Sequence, residues 1–282
     1  MSVHIVTDST ADLPGKIIRG NQITVVPLNI HFGEEVLKDG IDIWSEEFYN
    51  RLRNEDLLPN TSQPAPGEFL KIYQRIAKPG DSIISLHISK EMSGTARSAE
   101  IAAEMLGEDI KVHVVDSRNV SAGLGLIALK AARLAARGAP ASQILAEIET
   151  WKEQVGVYFT VNSLEYLQRT GRIGKASALL GGLLNIKPVL TIEDGVIVPA
   201  EKVRGHFQKV ALQIVTKLAE RFGSEPLTVC FLHTDLPELN LILQKTAETR
   251  LNIAEPLTNL VGPIVGSHDG PYTLGIVAIP SL

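Results

Sequence analysis

Four polar segments of the sequence carry side chains that could hold or transform a small molecule. They combine hydroxyls, carboxylates and one histidine with glycines and prolines, a composition typical of the loops in which binding residues lie. Each segment follows an apolar run that could form a strand or lies in a stretch rich in turn residues. The four segments are residues 8–14, 60–69, 88–99 and 261–271.

Two of these segments place hydroxyl groups at the start of a predicted helix. Thr61 and Ser62 precede a helix that begins with a proline, and the tripeptide Ser93-Gly94-Thr95 opens another. The first turn of a helix has free backbone N–H groups and a partial positive charge, so it favours an anion such as a carboxylate. For Thr61 and Ser62, capping of the helix is an equally good interpretation.

The other two segments offer carboxylates and an imidazole. Asp8 and Asp12 follow the first apolar run, where a cap on the next helix is the simpler role and direct contact with a ligand is the alternative. His268 lies among three glycines and two prolines, which favours a loop with a special backbone path. A structural and a functional role for His268 therefore both stay open.

Several kinds of active site are not supported by the spacing of these residues. The third segment lacks both the G-x-x-x-x-G-K-[ST] of a P-loop and the G-x-S-x-G of a nucleophile elbow. The histidines show no metal-ligand spacing, and no dinucleotide-binding fingerprint is complete. An enzyme is still the main alternative to a binding protein. Ser93, His268 and Asp269, or Asp8 with Asp12, could form a hydrolase or phosphotransferase site.

A basic stretch is followed by an apolar one in the second half of the chain. Residues 167–175 contain three cations, and residues 176–186 are almost wholly apolar with two glycines. A buried helix that packs closely at Gly181-Gly182 is the simpler interpretation. The alternative is the wall of an apolar cavity with cations at its edge.

The pattern of β-branched runs and amphipathic stretches predicts the scaffold. In the first half, strands alternate with helices, which favours a mainly parallel sheet with helices on both faces, and ligands of such sheets gather at the carboxyl ends of the strands. The second half predicts an α+β arrangement with a mainly antiparallel sheet. We therefore expect an N-terminal α/β domain, residues 1–155, and a C-terminal α+β domain, residues 156–282. The predicted strands are Val3–Val6, Thr24–His31, Ser82–His87, Lys111–Val115, Val157–Val161, Lys187–Ile192, Val196–Lys202, Leu227–His233 and Leu274–Ile279, and the predicted helices are Glu46–Arg53, Gly67–Ala77, Thr95–Leu106, Ser121–Ala136, Ser142–Val155, Arg204–Phe222 and Pro237–Arg250.

Composition narrows the class of protein further. The net charge is −5 and aromatic residues make up 5% of the 282 residues, so nucleic-acid binding is disfavoured. The single cysteine, Cys230, excludes an internal disulfide framework and a cysteine-rich zinc site. The sequence shows no signal-peptide pattern and no apolar run of the ~18 residues that a membrane span needs. We expect a cytoplasmic protein that is not an integral membrane protein.

Taken in order along the chain, the motifs resemble those of the DegV family. The match covers essentially the whole chain, and the ordered set carries the resemblance rather than any single motif. The motifs are Asp8-Ser9-Thr10-Ala11-Asp12-Leu13, Thr61-Ser62-Gln63-Pro64, Ser93-Gly94-Thr95, Val115-Asp116-Ser117-Arg118, Gly171-Arg172-Ile173, Asn185-Ile186-Lys187-Pro188 and Gly262-Pro263 with Gly266-Ser267-His268.

The resemblance implies a fatty-acid-binding protein rather than an enzyme, with a long-chain fatty acid enclosed between two domains and no cofactor or metal. Thr61 and Ser93 would hold the acyl carboxylate. Some members of the family, called FakB, present the fatty acid to a separate fatty acid kinase that phosphorylates this carboxylate, and Arg172 would lie on the surface that docks the kinase. The ligand-binding residues that the resemblance implies are Thr61, Ser62, Ser93, Gly94, Thr95 and His268.

One motif departs from the family pattern. The family loop usually continues from its histidine as Thr-Gly-Pro-Gly, whereas this chain has Asp269-Gly270-Pro271-Tyr272. Asp269 would repel a carboxylate unless it points away, and Tyr272 is bulkier than glycine. A protein that binds another amphipathic acid or a polyol is a further alternative, because sequence does not give the size of a cavity.

Overall fold

The computed structural model describes residues 2–55, 58–107, 110–180 and 186–282. Strands are numbered β1 to β13 and helices α1 to α10 in chain order. The strands are β1 Val3–Asp8, β2 Thr24–Val26, β3 Asn29–Phe32, β4 Glu35–Lys38, β5 Asn60–Ser62, β6 Ser82–His87, β7 Lys111–Asp116, β8 Gly156–Thr160, β9 Ile186–Glu193, β10 Val196–Arg204, β11 Pro226–His233, β12 Asn252–Leu260 and β13 Leu274–Pro280. The helices are α1 Gly15–Gly20, α2 Ser45–Asn54, α3 Pro66–Ile76, α4 Thr95–Leu106, α5 Ala122–Ala136, α6 Ala141–Gln154, α7 Glu165–Arg169, α8 Phe207–Phe222, α9 Pro237–Glu248 and α10 Pro263–Asp269.

The first sheet is parallel and has the strand order β2-β1-β6-β7. Both of its faces are buried, so its strands are apolar on consecutive residues rather than on alternate ones. Val6 and Ile83 pack on the side of α3 and α4, whereas Ile5 and Ile84 pack on the side of α5. The predicted mainly parallel sheet with helices on both faces is confirmed.

The second sheet has the order β10-β9-β8-β13-β11-β12 and is antiparallel except for the pair β11 and β12. Alternate residues of β13 point to opposite faces. Ile276 packs in a core with α8 and α9, whereas Val277 belongs to the large core that α5 and α6 share with both sheets. The predicted mainly antiparallel α+β arrangement is also confirmed.

A third, antiparallel sheet of order β4-β3-β5 was not expected from the sequence. The segment Thr24–His31 was predicted as one strand, and that prediction was wrong: β2 lies in the parallel sheet and β3 in the third sheet. Pro27 separates the two, and a proline cannot donate a ladder hydrogen bond. Thr61 and Ser62, which the sequence places before a helix as possible caps, lie in strand β5, and the N-cap of α3 is Ala65.

The fourth polar segment also differs from expectation. Residues 261–271 were predicted to form an irregular loop, yet Pro263–Asp269 is helix α10 with His268 in its last turn. Proline suits the first turn of a helix because its missing N–H has no partner there. The predicted close packing at Gly181-Gly182 and the motif residue Asn185 lie outside the described residues. Just before them along the chain, Gly174–Leu179 forms a 3₁₀ helix.

The described part of the chain contains no helix that is both long enough and apolar enough to cross a bilayer. The boundary near residue 155 falls between α6 and β8, and the division into two domains there stays a prediction.

Candidate functional site

One cavity brings together residues from the second and third sheets, from the segments that follow β6 and β7 of the first sheet, and from α7 and α10. Its atom-free space is about 940 Å³, including the part open to solvent. Its polar lining residues are Thr61, Ser62, Gln63, Ser93, Ser121, Arg172, His268, Asp269 and Thr273.

Most of the cavity wall is apolar. One part comes from the second sheet, where β8, β9, β10, β11 and β13 each contribute residues. Another comes from the segments that follow β6 and β7 and from α10. The apolar lining includes Leu28, Ile88, Met92, Val120, Val157, Phe159, Leu167, Ile192, Ile197, Leu232, Val261, Ile264, Val265 and Val277. The cavity is thus amphipathic, with polar groups gathered from a few loops and apolar groups from sheet faces.

Thr61 and His268 contact each other in this cavity. Thr61 Oγ1 lies 2.9 Å from His268 Nε2. Ser62, the neighbour of Thr61, is held by His31, whose Nε2 lies 2.8 Å from Ser62 Oγ. With the imidazole proton on Nε2, the ring donates to the Thr61 hydroxyl, which keeps its own proton for an acceptor on a ligand.

The imidazole of His268 is neutral at physiological pH. Burial and, to a smaller extent, the positive charge of Arg172 lower its pKa to about 4. Its Nδ1 is buried and has no hydrogen-bond partner among the described residues. A second proton on Nδ1 would therefore be a buried donor without an acceptor, which is costly. His268 acts as a neutral hydrogen-bonding group rather than as a cation.

Helix α10 is held in place by α2 and by the loop after β1. The Tyr49 hydroxyl donates to the Val261 carbonyl at 3.1 Å, and Ile264 packs in a core with Phe48 and Tyr49. The Gly262 N–H donates to Asp12 Oδ1 at 3.0 Å. Asp12 therefore fixes the helix that carries His268, and it is not among the residues that line the cavity.

Ser93 lies in the segment that joins β6 to α4. Its Oγ lies 2.9 Å from Thr95 Oγ1 and accepts a hydrogen bond from the Thr95 N–H at 3.3 Å. Gln63 covers Gly94: a Cβ there would lie 2.9 Å from Gln63 Nε2. Glycine at this position therefore lets the segment that carries Thr61 approach the segment that carries Ser93.

The structure separates the six predicted ligand-binding residues into two groups. Thr61, Ser62, Ser93 and His268 line the cavity. Gly94 and Thr95 follow Ser93 at the start of α4 and are not in the cavity lining; Gly94 is exposed and Thr95 is fully buried. The sequence did not identify Gln63 or the apolar wall as part of the site. The nearly continuous apolar runs of β8 and β13, which indicate strands covered on both faces, were the available signal for that wall.

Arg172 lies at the edge of the cavity and connects its two sides. Its Nε donates to the Met92 carbonyl at 3.2 Å, and its Nη1 donates to the Thr170 carbonyl at 2.5 Å. The side chain is exposed to solvent, and its charge acts on His268. Arg172 therefore places a positive charge near the polar residues of the site.

Asp269 is one of the residues that line the cavity, and it is 9% exposed. Burial raises the pKa of its carboxyl to about 7, because an ionised carboxylate is poorly stabilised away from water. Near neutral pH, a small change of pH therefore changes the ionised fraction of Asp269. Tyr272, the other departure from the family motif, is exposed and has a positive φ of 67°.

The residues proposed for an enzyme do not form a triad. His268 bonds to Thr61 through Nε2, and its Nδ1 has no partner among the described residues, so neither Ser93 nor Asp269 bonds to its ring. Nucleophilic catalysis by serine needs the hydroxyl within hydrogen-bond reach of a base that a third group orients. Within the described ranges, no group of three or more histidine, cysteine or acidic residues could hold a metal ion.

A different set of residues does have the distances of a triad. Ser85 Oγ lies 2.7 Å from His87 Nε2, and His87 Nδ1 lies 3.0 Å from Asp8 Oδ2. All three side chains are fully buried, so no substrate reaches them. The Ile88 N–H donates to Asp8 Oδ2 at 3.0 Å, which joins the end of β1 to the segment that carries Ser93. Asp8 is a structural residue.

Comparison with known proteins supports the resemblance seen in the motifs. A family model described as uncharacterised protein, DegV family, matches residues 2–281. A DegV family protein from Thermus thermophilus, described by its fatty acid binding, shares 35% identity and a TM-score of 0.92, with 100% of each chain covered. DegV from Bacillus subtilis, described as a fatty acid binding protein, shares 34% identity and a TM-score of 0.91, again over 100% of each chain. A stearic-acid-binding protein from Eubacterium ventriosum shares 26% identity and a TM-score of 0.90, over 99% of this chain and 98% of the other.

Proposed function

Because the chain belongs to the DegV family, we propose that it binds a long-chain fatty acid, with the acyl tail in the apolar part of the cavity. The carboxylate lies at the polar residues Thr61, Ser93 and His268. One observation carries the proposal: a single amphipathic cavity joins these polar residues to an extended apolar wall. The fatty acids bound by the structural relatives support it.

The tail supplies most of the affinity in this proposal. An acyl chain of about 15 methylene groups gains roughly 12 kcal/mol when each buried CH₂ contributes about 0.8 kcal/mol. Association and ordering cost about 4–15 kcal/mol. The polar groups therefore position the carboxylate more than they increase the affinity.

The polar residues suit a carboxylate that stays reactive. Thr61 and Ser93 present neutral hydroxyl donors, and Arg172 provides a positive charge at the edge of the cavity. Hydroxyl donors hold a carboxylate without enclosing it in a buried ion pair, whose desolvation is costly. One carboxylate oxygen is then free to attack a phosphoryl group.

The finer proposal is that the protein is a non-catalytic carrier that presents the fatty acid to a separate fatty acid kinase. Two features support this finer proposal. Arg172 is exposed at the cavity edge, where an acidic surface of a partner could contact it, and the motif around Arg172 resembles that of the family. In this proposal residues 1–155 and residues 156–282 act as two domains that enclose the ligand between them, and no cofactor or metal takes part.

Mass spectrometry of an organic-solvent extract of the purified protein tests the binding function. A stoichiometric fatty acid is the expected result and would identify the ligand. An extract without lipid, together with no uptake of added palmitate or oleate, would contradict the proposal. Incubation of the loaded protein with ATP and a candidate kinase tests the presentation step separately, with acyl phosphate as the product to detect.

A further inference from the structure

Gly275 occupies the middle of the sheet face that forms part of the cavity wall. It lies in β13, directly opposite Phe159 of β8 and Leu232 of β11. Directly opposite residues of neighbouring strands point to the same face of a sheet. All three residues line the cavity, so the row Phe159–Gly275–Leu232 has two large side chains with a gap between them.

The register and the backbone dihedral angles of the strand do not require a glycine at this position. The register of β13 continues without a bulge past Gly275 against both β8 and β11. Gly275 is not among the described glycines with a positive φ. A glycine inside a strand weakens it and often marks a place where a ligand or another backbone approaches closely.

Within the part of the chain that the structure describes, no backbone from another layer approaches Gly275. A Cβ at this position would have its three nearest neighbours in β8, with Phe159 Cβ at 3.2 Å and the Tyr158 carbonyl oxygen at 3.6 Å. By contrast, a Cβ at Gly125 in α5 would overlap the Ala11 carbonyl oxygen, a backbone atom in a different segment of the chain. The space above Gly275 therefore belongs to the cavity.

We propose that Gly275 is a specificity-determining residue. Because it has no side chain, the cavity stays open above it, and a long acyl chain can pass there. The inference rests on the proposed fatty-acid binding and names its substrate class: long-chain acids that extend past Gly275, in preference to medium-chain acids that end before it. A side chain at position 275 narrows the passage between Phe159 and Leu232 and shortens the chain that fits.

The test compares binding of decanoate, laurate, palmitate and oleate by the wild type and by Gly275→Val after removal of lipid from both. Valine favours a strand, but its Cβ would lie only 3.2 Å from Phe159 Cβ, so we expect the variant to fold with a Tm no higher than that of the wild type. Palmitate and oleate should bind at least about tenfold more weakly, which corresponds to the loss of about two buried methylene groups. Decanoate should bind with little change. Gly275→Ala should show a smaller effect in the same direction and replaces Gly275→Val if the latter does not fold.

Val229→Ala is the matched control, because Val229 is buried on the opposite face of the same sheet, against α8 and α9. It should lower the Tm without changing the order of preference among the four acids. An equal loss for all four acids in Gly275→Val, or no loss, would overturn the inference while leaving fatty-acid binding intact. Failure of the wild type to bind any of the acids would contradict the proposed function itself.

Discussion

Thr61 Oγ1 and His268 Nε2 lie 2.9 Å apart although 207 positions separate the two residues in the chain. The contact exists because helix α10 packs against the third sheet, with Ile264 of the helix in the same core as Ile30 of β3. Thr61 is paired with Ile30 across that sheet and therefore points to the same side.

This contact leads to a first prediction, for Thr61→Val. The substitution keeps the shape of the side chain and removes the hydroxyl that we propose donates to the ligand carboxylate. A hydrogen bond to a charged group contributes about 1.5–3 kcal/mol, so the affinity for palmitate should fall by about tenfold or more. Isothermal titration calorimetry with lipid-free protein measures this affinity. Thr246→Val, in a half-buried threonine of α9, is the control and should bind palmitate like the wild type.

Ser93→Ala tests the other proposed hydroxyl ligand. We expect a similar loss of affinity and a larger one in the double variant with Thr61→Ala, while circular dichroism shows an unchanged fold. Retention of palmitate by a folded double variant at the wild-type level would rule out the proposed carboxylate site. Ester hydrolysis that disappears in Ser93→Ala would instead favour the hydrolase alternative.

Asp269 predicts a pH dependence of ligand binding. Its pKa of about 7 means that the carboxyl becomes ionised as the pH rises through neutrality. An ionised Asp269 repels a fatty acid carboxylate, by about 1–3 kcal/mol for charges several Å apart in a partly polar environment. Affinity for palmitate should therefore fall as the pH rises through about 7, and Asp269→Asn should largely remove this dependence. Titration of palmitate into the wild type and into Asp269→Asn at several pH values measures this dependence. The same change of affinity with pH in both proteins would contradict the role of Asp269.

The same carboxyl also predicts a pH dependence of stability. Burial raises the pKa of Asp269 from its ordinary value of 3.8 to about 7 in the folded protein, so folding favours the protonated form. Its contribution to the free energy of unfolding is present in full below about pH 4 and is lost as the pH rises through about 7. The Tm of the wild type should therefore fall across this range more than the Tm of Asp269→Asn, which thermal unfolding monitors directly.

Arg172→Gln should change the titration of His268. The positive charge of Arg172 contributes to the low pKa of that imidazole, so its removal should raise the pKa from about 4 while burial keeps it below the ordinary value. NMR of the His268 ring protons measures the change.

If Arg172 also contacts a kinase, the same variant should bind palmitate normally, but the kinase should convert the bound palmitate to acyl phosphate more slowly. Lys152→Gln is the charge-matched control, because Lys152 is a cation of α6 outside the cavity lining.

Ser85→Ala should affect stability and not ligand binding. The hydroxyl of Ser85 accepts a hydrogen bond from Tyr73 at 2.8 Å and lies 2.7 Å from His87 Nε2. Its removal leaves these buried groups without their partner, which costs about 1–3 kcal/mol. Chemical denaturation should show this loss, whereas palmitate affinity should stay unchanged. A variant with full stability but impaired binding would show that the buried Ser85–His87–Asp8 series acts on the ligand after all.

The local pattern of the sequence determined the larger elements of this fold. Strands such as Ser82–His87 and helices such as Thr95–Leu106 occur at the predicted residues, because their hydrophobic periodicity and their turn residues act within a few positions of the chain. The ordered motifs also identified Thr61, Ser93 and His268 as residues of interest. These features depend on short-range preferences that the amino-acid types carry with them.

Tertiary structure decided how these residues meet. The short strands of the third sheet, including the one that carries Thr61, form through pairing with distant segments and have no strong pattern of their own. Helix α10 forms in a glycine- and proline-rich segment because Phe48, Tyr49 and Asp12 support it from other parts of the chain. The burial that sets the pKa of His268 and Asp269, and the open space above Gly275, likewise result from packing between segments far apart in sequence, which no local pattern records.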